Sequence, residues 1–470
     1  MSDPHWTSVL PPVLAIVLAI GTRQVYLSLA AGTWLGWTII KGWHPIAGLG
    51  GAVEGAVAVM GDAGNARMLL FMLVIGGLIA TVEASGGVQG FVRRLEQSNL
   101  VTSPRRVRVL AYLIGIIIFI ESTITILVVG AIGRPLFDRH RISREKLAYL
   151  CDSTSAPVCM MIPLNAWGAY VLGILGGLKV ERPLEAFISS MPFNFYSIIA
   201  ILIAGIVAIW NWNLGPMRAA EARTQSGQLL WPGAVPMVDP DVIAPAVETA
   251  IPPRAINMLV PLGVMVAMMP ASLWLTGRGD IRAGDGSKAV LWSVLVALAV
   301  AWGMLVAQRA FTIDKLMRMA LKGAGGLVGL ALVMLLALAL AGVTKELGTG
   351  QYIAKLTVGT MPPVIFLPLV FLVGAIVGFC TGTSWGTFAI MLPIAVPVAM
   401  TLNLPLAPFI AAALSGGVFG DHASPISDTT IISSMAAATD HIDHVRTQLP
   451  YALLAAVLAM MGFAVVGALI

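Results

Sequence analysis

The chain is 470 residues long, 58% hydrophobic and 11% charged, with a formal net charge of +5, where an ordinary soluble domain carries roughly 25% charged residues. So few charges cannot cover a water-soluble surface of this length, which excludes a soluble enzyme, a disordered tail and a nucleic-acid binder. Its apolar runs hold Pro and Gly and lack the roughly ten-residue alternation of an outer-membrane barrel, leaving an all-α polytopic membrane protein.

The N-terminus lacks the basic region of a cleavable signal, so the first apolar stretch, 9–20, is expected to remain as a helix. A second stretch, 25–40, and a third, 68–82, follow it, the third closed by Glu83-Ala-Ser-Gly-Gly. Next comes a basic loop with Arg93, Arg94, Arg105, Arg106 and Arg108. The run 110–120 ends in Glu121-Ser-Thr-Ile-Thr, and a further polar stretch is Cys151-Asp-Ser-Thr-Ser-Ala-Pro. Asn165 and Trp167 follow a helix break expected at Pro163, which would let them line a cavity. After the apolar run 198–209, residues 213–254 collect seven prolines and many charges and read as an aqueous, cytoplasmic linker. Three units result: a first repeat over 1–212, the linker over 213–254 and a second repeat over 255–470.

The second half repeats the order of the first. Stretches 258–274 and 289–307 open it, a basic loop carries Arg309, Lys315, Arg318 and Lys322, and the run 327–343 is closed by Lys345-Glu-Leu-Gly-Thr-Gly-Gln. Glu83 and Lys345 set an offset of 345 − 83 = 262, at which Ser122 meets Ser384, Thr125 meets Thr387 and Pro135 meets Pro397. A gap of seven residues then pairs Asp152 with Asp421. Lys and Arg at the loop ends place the N-terminus outside, and the basic loop falls one segment earlier in the second half. That shift predicts inverted-topology repeats, whose substrate sites form at broken helices near the membrane midplane.

Ionisable and hydroxyl groups inside apolar sequence mark the candidate site, because each is costly at membrane depth. Besides the stretches at Glu121 and Asp152 these are Thr381-Gly-Thr-Ser-Trp-Gly-Thr and Gly420-Asp-His-Ala-Ser-Pro-Ile-Ser-Asp-Thr-Thr. Carboxylate, hydroxyl and carbonyl oxygens are the ligands of hard cations such as Na⁺. Pro425 breaks the helix between Asp421 and Asp428, so both carboxylates are expected to approach one Na⁺ site. His422 reads as a candidate proton relay, because a free imidazole titrates near neutral pH, or as a hydrogen-bonded structural histidine. Downstream, Asp440, His441, Asp443 and His444 read as a solvated loop. Cys151, Cys159 and Cys380 imply no disulfide framework.

The stretch from Gly420 to Thr430, with Thr383-Ser-Trp-Gly-Thr before it and Thr447-Gln-Leu-Pro-Tyr after it, closely resembles the NhaC-type Na⁺/H⁺ antiporter family of the ion transporter superfamily. The match is specific in the second half and looser in the first. It implies two inverted repeats with re-entrant hairpins and interrupted helices, working by an elevator motion of one module against a scaffold. By position it assigns Asp421, Ser424, Ser427, Asp428 and Thr429 to the ion site, with Ser384 and Thr387 beside them. Symmetry adds Asp152, Ser153, Ser155, Ser122 and Thr125, and Asn165 joins them as a binding residue. Asp421, Asp428, Glu121 and His422 are the proton-coupling candidates. The expected function is Na⁺/H⁺ exchange, with transport of a small organic anion or amino acid on the same fold as the alternative. No enzymatic activity and no cofactor beyond the transported ions are expected. Membrane lipid is the expected partner, a homodimer the expected assembly if any, and the inner (plasma) membrane the expected location.

Overall fold

The computed structural model describes residues 5–22, 24–87, 89–91, 103–119, 121–163, 165–236, 252–280, 284–349, 351–352 and 363–470. Arg93 and Arg94 of the first basic loop and the middle of the linker, 237–251, lie outside the described residues. Helices account for nearly all the rest, and among the described residues the only β-type pairing is a single bridge between Pro236 and Asp440.

In chain order the first half comprises α1 (Leu10–Thr22), α2 (Val25–Ile40), α3 (Pro45–Gly61), α4 (Ala63–Ala84), α5 (Pro104–Ile117), α6 (Ser122–Arg139), α7 (Arg144–Ser153), α8 (Ala156–Met160), α9 (Ala166–Gly177), α10 (Pro183–Ser190) and α11 (Phe195–Trp210). The linker begins with α12 (Pro216–Gln225). The second half comprises α13 (Ile256–Thr276), α14 (Gly286–Ala307), α15 (Ile313–Glu346), α16 (Pro363–Thr381), α17 (Ser384–Thr401), α18 (Leu406–Ala423), α19 (Asp428–Ala437) and α20 (His441–Leu469). Among the described residues seven helices are long and apolar enough to cross a membrane, and the bent pair of α10 and α11, meeting at 49°, adds an eighth.

Several elements are too short to cross. At about 1.5 Å per residue, the 13 residues of α1 and 16 of α2 fall well short of a hydrocarbon core about 30 Å thick. The start of α2 instead reaches the interior, where Val25 packs on Gly386 at the start of α17. Helix α18 runs through the middle: from Pro408 to Ala423 every residue except Phe419 is buried, as expected of a helix apolar and small on all sides.

The internal repeat is written in the backbone. Helices α6 and α17 start 384 − 122 = 262 residues apart, α7 and α18 406 − 144 = 262, and α9 and α19 428 − 166 = 262. Left-handed residues recur at the same offset, Gly86 with Gly348 (φ 69° and 71°) and Arg141 with Asn403 (φ 52° and 54°). The seven-residue gap that pairs Asp152 with Asp421 is therefore not the structural register. Ungapped, Asp421 falls opposite Cys159 (421 − 262 = 159), and the continuous α18 corresponds to α7 plus α8, which the first half breaks at Thr154 and Ser155. The α3–α4 pair likewise breaks at Asp62, whose carboxylate caps Gly64 and Asn65, where α15 runs unbroken for 34 residues.

Glycine allows α4 and α15 to cross with their backbones touching: a Cβ on Gly76 would collide with the Gly323 carbonyl, and one on Gly323 with the Gly76 carbonyl. Close crossing at small residues is how helices gain packing in lipid, where burial of apolar surface gives no drive. The head of the linker is not the aqueous segment its composition suggests. Glu221 is ion-paired to Lys146 at 2.8 Å and accepts from the Ser143 amide and hydroxyl, and Arg223 makes a two-pronged pair with Glu145 at 2.7 and 3.0 Å. All four charged side chains are buried, so α12 is fixed on α7.

Candidate functional site

The offset of 262 also relates the chain breaks that build the site. Residues 118–121 before α6 match 380–383 around the α16–α17 break, and 162–165 before α9 match 424–427 before α19. In each half the later break is tied to the earlier one by a side chain donating to a free carbonyl. Asn165 Nδ2 donates to Phe119 O at 2.8 Å, and Ser424 Oγ to Phe379 O at 2.7 Å. The Thr125 hydroxyl faces the carbonyls of Ile118 and of Glu121, the latter at 3.0 Å, and Thr387 donates to Thr383 O at 2.8 Å, so both hydroxyls act on backbone at the breaks.

At the second-half breaks the end of α18 faces the start of α17. Asp421 Oδ2 accepts from the Ser384 hydroxyl at 2.5 Å and the Ser384 amide at 3.1 Å, and Oδ1 accepts from the Ser427 hydroxyl at 2.6 Å. Ser427 Oγ lies 3.0 Å from Thr429 Oγ1. Asp421, Ser384, Ser427 and Thr429 are all buried, so this carboxylate is solvated by protein alone. Its place at the N-terminus of α17 sets the positive end of the helix dipole against it. Glu121, Asp152 and Asp421 all lie within electrostatic reach of Asp428.

Asp428 opens α19 and is exposed. It lines a cavity of about 390 Å³ together with Glu121, Thr383, Trp385 and the tip of the short hairpin, Gln24 and Tyr26. Among the described residues no Lys, Arg or His lines it. Glu121 accepts from the Ser122 hydroxyl at 3.0 Å. Behind the cavity wall Trp167 stacks at a tilt on Trp385, with centroids 4.7 Å apart, and Tyr170 donates to the Trp385 carbonyl.

Other expected residues lie elsewhere. Asp152 faces α19 and α20: its Oδ2 accepts from Thr430 at 3.1 Å and from Gln448 at 2.7 Å, while Oδ1 has no hydrogen-bond partner among the described residues. Ser155 Oγ donates to Asp152 O, and Ser153 meets His422 Nε2 at 3.1 Å. The His422 ring is held on its other side by the Tyr196 hydroxyl at 2.6 Å. Asn165 does not line the cavity, because its amide also donates to Cys159 O and accepts from Gly168 N–H, which leaves it a strut between breaks. Trp167 is buried rather than cavity-lining. His441 and His444, expected in a solvated loop, are helical, and His444 is buried against Gln448 and Ser434. Sequence reasoning missed Gln448, Thr430, Ser434 and Tyr196. Among the described residues no three His, Cys, Asp or Glu side chains converge on a point. A cation at Asp421 would therefore complete its shell with hydroxyl and backbone oxygens.

Paired broken helices, a buried carboxylate among hydroxyls and an acid-lined cavity between them define a helical secondary transporter of the membrane. A family model described as the Na⁺/H⁺ antiporter family matches residues 158–468. The chain belongs to that family. It is 33% identical to an uncharacterized Haemophilus influenzae protein over 99% of this chain and 91% of that one. It is 27% identical to the Halobacterium salinarum arginine/ornithine antiporter over 44% and 41% of the two chains. The fold is shared with Neisseria gonorrhoeae MtrF, described as illuminating a class of antimetabolite efflux pumps, at a TM-score of 0.61 and 15% identity over 89% of this chain and 84% of that one.

Proposed function

We propose that the protein exchanges Na⁺ for H⁺, with Asp421 as the group for which the two ions compete and Asp428 as the carboxylate that receives ions from the cavity. The observation that carries this is the setting of Asp421: a fully buried carboxylate between two hydroxyls at a helix break. An unneutralised carboxylate in such a place is costly, so it holds either a proton or a cation. When Na⁺ enters, the Ser384 and Ser427 hydroxyls turn their lone pairs to the ion; when H⁺ replaces it, they return to the carboxylate. Mutual exclusion at one group is enough to couple the two fluxes.

One observation favours a second reading. The cavity has room for more than an ion, and the Glu121 and Asp428 carboxylates that line it suit a cationic organic solute better than an organic anion. Proteoliposomes discriminate between the two. Proton movement driven by a Na⁺ gradient alone supports Na⁺/H⁺ exchange, whereas strict dependence on an added amine-bearing solute such as arginine moves the assignment to the second reading.

A further inference from the structure

Where α19 meets α20, away from the cation site, two histidines share one hydroxyl. His441 Nδ1 lies 3.0 Å from Ser434 Oγ, and its Nε2 lies 2.6 Å from Pro425 O in the α18–α19 break. His444 Nδ1 lies 2.9 Å from the same Oγ, and its Nε2 lies 2.9 Å from Gln448 Oε1. The Ser434 hydroxyl also has Thr430 O at 2.8 Å as an acceptor. Ser434 and His444 are fully buried, and His441 is half-buried.

The polarity of the outer contacts is fixed by their partners. Pro425 O is a carbonyl and only accepts, so His441 Nε2 carries a hydrogen. Gln448 Nε2 donates to Asp152 Oδ2 and to the His422 carbonyl, which orients the amide and leaves Oε1 to accept from His444 Nε2. A neutral imidazole has a single N–H, and in both rings it is already committed. Both Nδ1 atoms then turn lone pairs toward Ser434, whose one hydrogen faces two ring nitrogens and a carbonyl. With neutral rings at least one nitrogen lone pair is left against oxygen in a dry interior, a cost of the kind paid by any buried unmet acceptor. One added proton resolves the conflict: the charged ring donates Nδ1–H to Oγ, and the hydroxyl hydrogen turns to the other ring. A second would place two positive rings on one hydroxyl.

We propose that His441 and His444 bind one proton between them, shared across Ser434, and that this site conveys pH to the broken helix through the Pro425 carbonyl. Its outer end lies under the linker, since Val235 N–H donates to Asp440 Oδ2 at the start of α20. The charged groups around it come from each packed element. Asp152 of α7 and His422 of α18 act on His444. Asp440 caps α20, which supplies Asp443 and Arg446; Glu145 of α7 and Arg223 of α12 face Asp443, and Arg144 of α7, paired with Asp138 of α6, donates to the Ala438 carbonyl between α19 and α20. Between Thr429 and Ala437, α19 carries no charged side chain.

The test is a pH titration of ¹⁵N-histidine-labelled full-length protein by NMR from about pH 5 to about pH 9, with His441→Gln and His444→Gln to assign the rings. The two rings should shift together in a single one-proton step, as coupled sites do. In Ser434→Ala that step should split or move by about one pH unit or more. Rings that stay silent, or that titrate in separate steps each indifferent to substitution of the other, would overturn the proposal. Should Ser434→Ala fail to fold, the wild-type titration alone decides. The readout does not depend on which solute is carried, so a failure of Na⁺/H⁺ exchange and a failure of this site are distinguishable. In transport, both single variants and the double variant should lose the same component of the pH profile; additive losses would contradict a shared proton.

Discussion

Replacing Ser384 with Ala removes one hydroxyl from the buried Asp421 carboxylate and leaves Oδ2 with only the Ser384 amide at 3.1 Å. Hydrogen bonds to a charged group contribute about 1.5–3 kcal/mol. Asp421 is 1% exposed, so solvent cannot replace the lost donor and the full range applies. The same oxygen is a proposed Na⁺ ligand, so the variant loses it both as support for the carboxylate and as part of the cation shell. At about 1.4 kcal/mol per factor of ten, the apparent KM for Na⁺ should rise roughly 10- to 150-fold in a proteoliposome assay of Na⁺-driven proton flux. Thr401→Val is the control, because its exposed hydroxyl bonds only the Pro397 carbonyl at the far end of the same helix, and it should leave KM unchanged. A folded Ser384→Ala protein with KM within about twofold of wild type would refute the assignment of that hydroxyl.

Lys146→Met leaves Glu221 buried without its cation and should cost about 3–5 kcal/mol, seen as a lower thermal unfolding midpoint in detergent. The double variant Lys146→Met with Glu221→Leu should recover most of that loss. Gly76→Val should lower the same midpoint by forcing α4 off α15 at the Gly323 carbonyl, an overpacking cost of about 1–3 kcal/mol, while Gly263→Ala, with open space at its Cβ position, should not. Gly382 sits at φ +64° with the Ile426 carbonyl 2.6 Å from where a Cβ would lie. Gly382→Ala should therefore disturb the α18–α19 break and cut transport activity more than Gly286→Ala, where nothing lies within 4 Å.

The all-helical membrane class, the repeat and the Asp421 cluster were legible because their signals are local or periodic. A Gly/Ser/Pro stretch holding carboxylates in apolar sequence can be neither a regular helix nor a lipid-facing loop, and the stretch at Gly420 became the broken helix around Asp421. Contacts formed across long separations left no such trace. Gln448 reaches Asp152 over 296 residues and Thr430 reaches it over 278, so the direction in which Asp152 points is fixed by packing of α19 and α20 on α7. Glu221 and Arg223 read as linker charges because their partners, Lys146 and Glu145, lie far back in the chain. The histidines of α20 were legible in part: positions 441, 444 and 448 share a helical face, yet Asp440, which caps that helix through Ile442 and Asp443 amides, gave the segment the polarity of a loop. The seven-residue gap arose from matching aspartates by type, whereas the starts of α6, α7 and α9 lie 262 residues before those of α17, α18 and α19.

The most direct test is proton flux driven by an inward Na⁺ gradient in proteoliposomes containing wild type or Asp421→Asn. Asparagine keeps the size of the side chain and one accepting oxygen for Ser384, with its NH2 turned to the Ser427 hydroxyl, but it can neither take up a proton nor balance a cation. Wild type should move protons against Na⁺, and Asp421→Asn, shown to be folded by its elution and unfolding midpoint, should move none. Retained coupling in that variant would contradict competition of the two ions at Asp421.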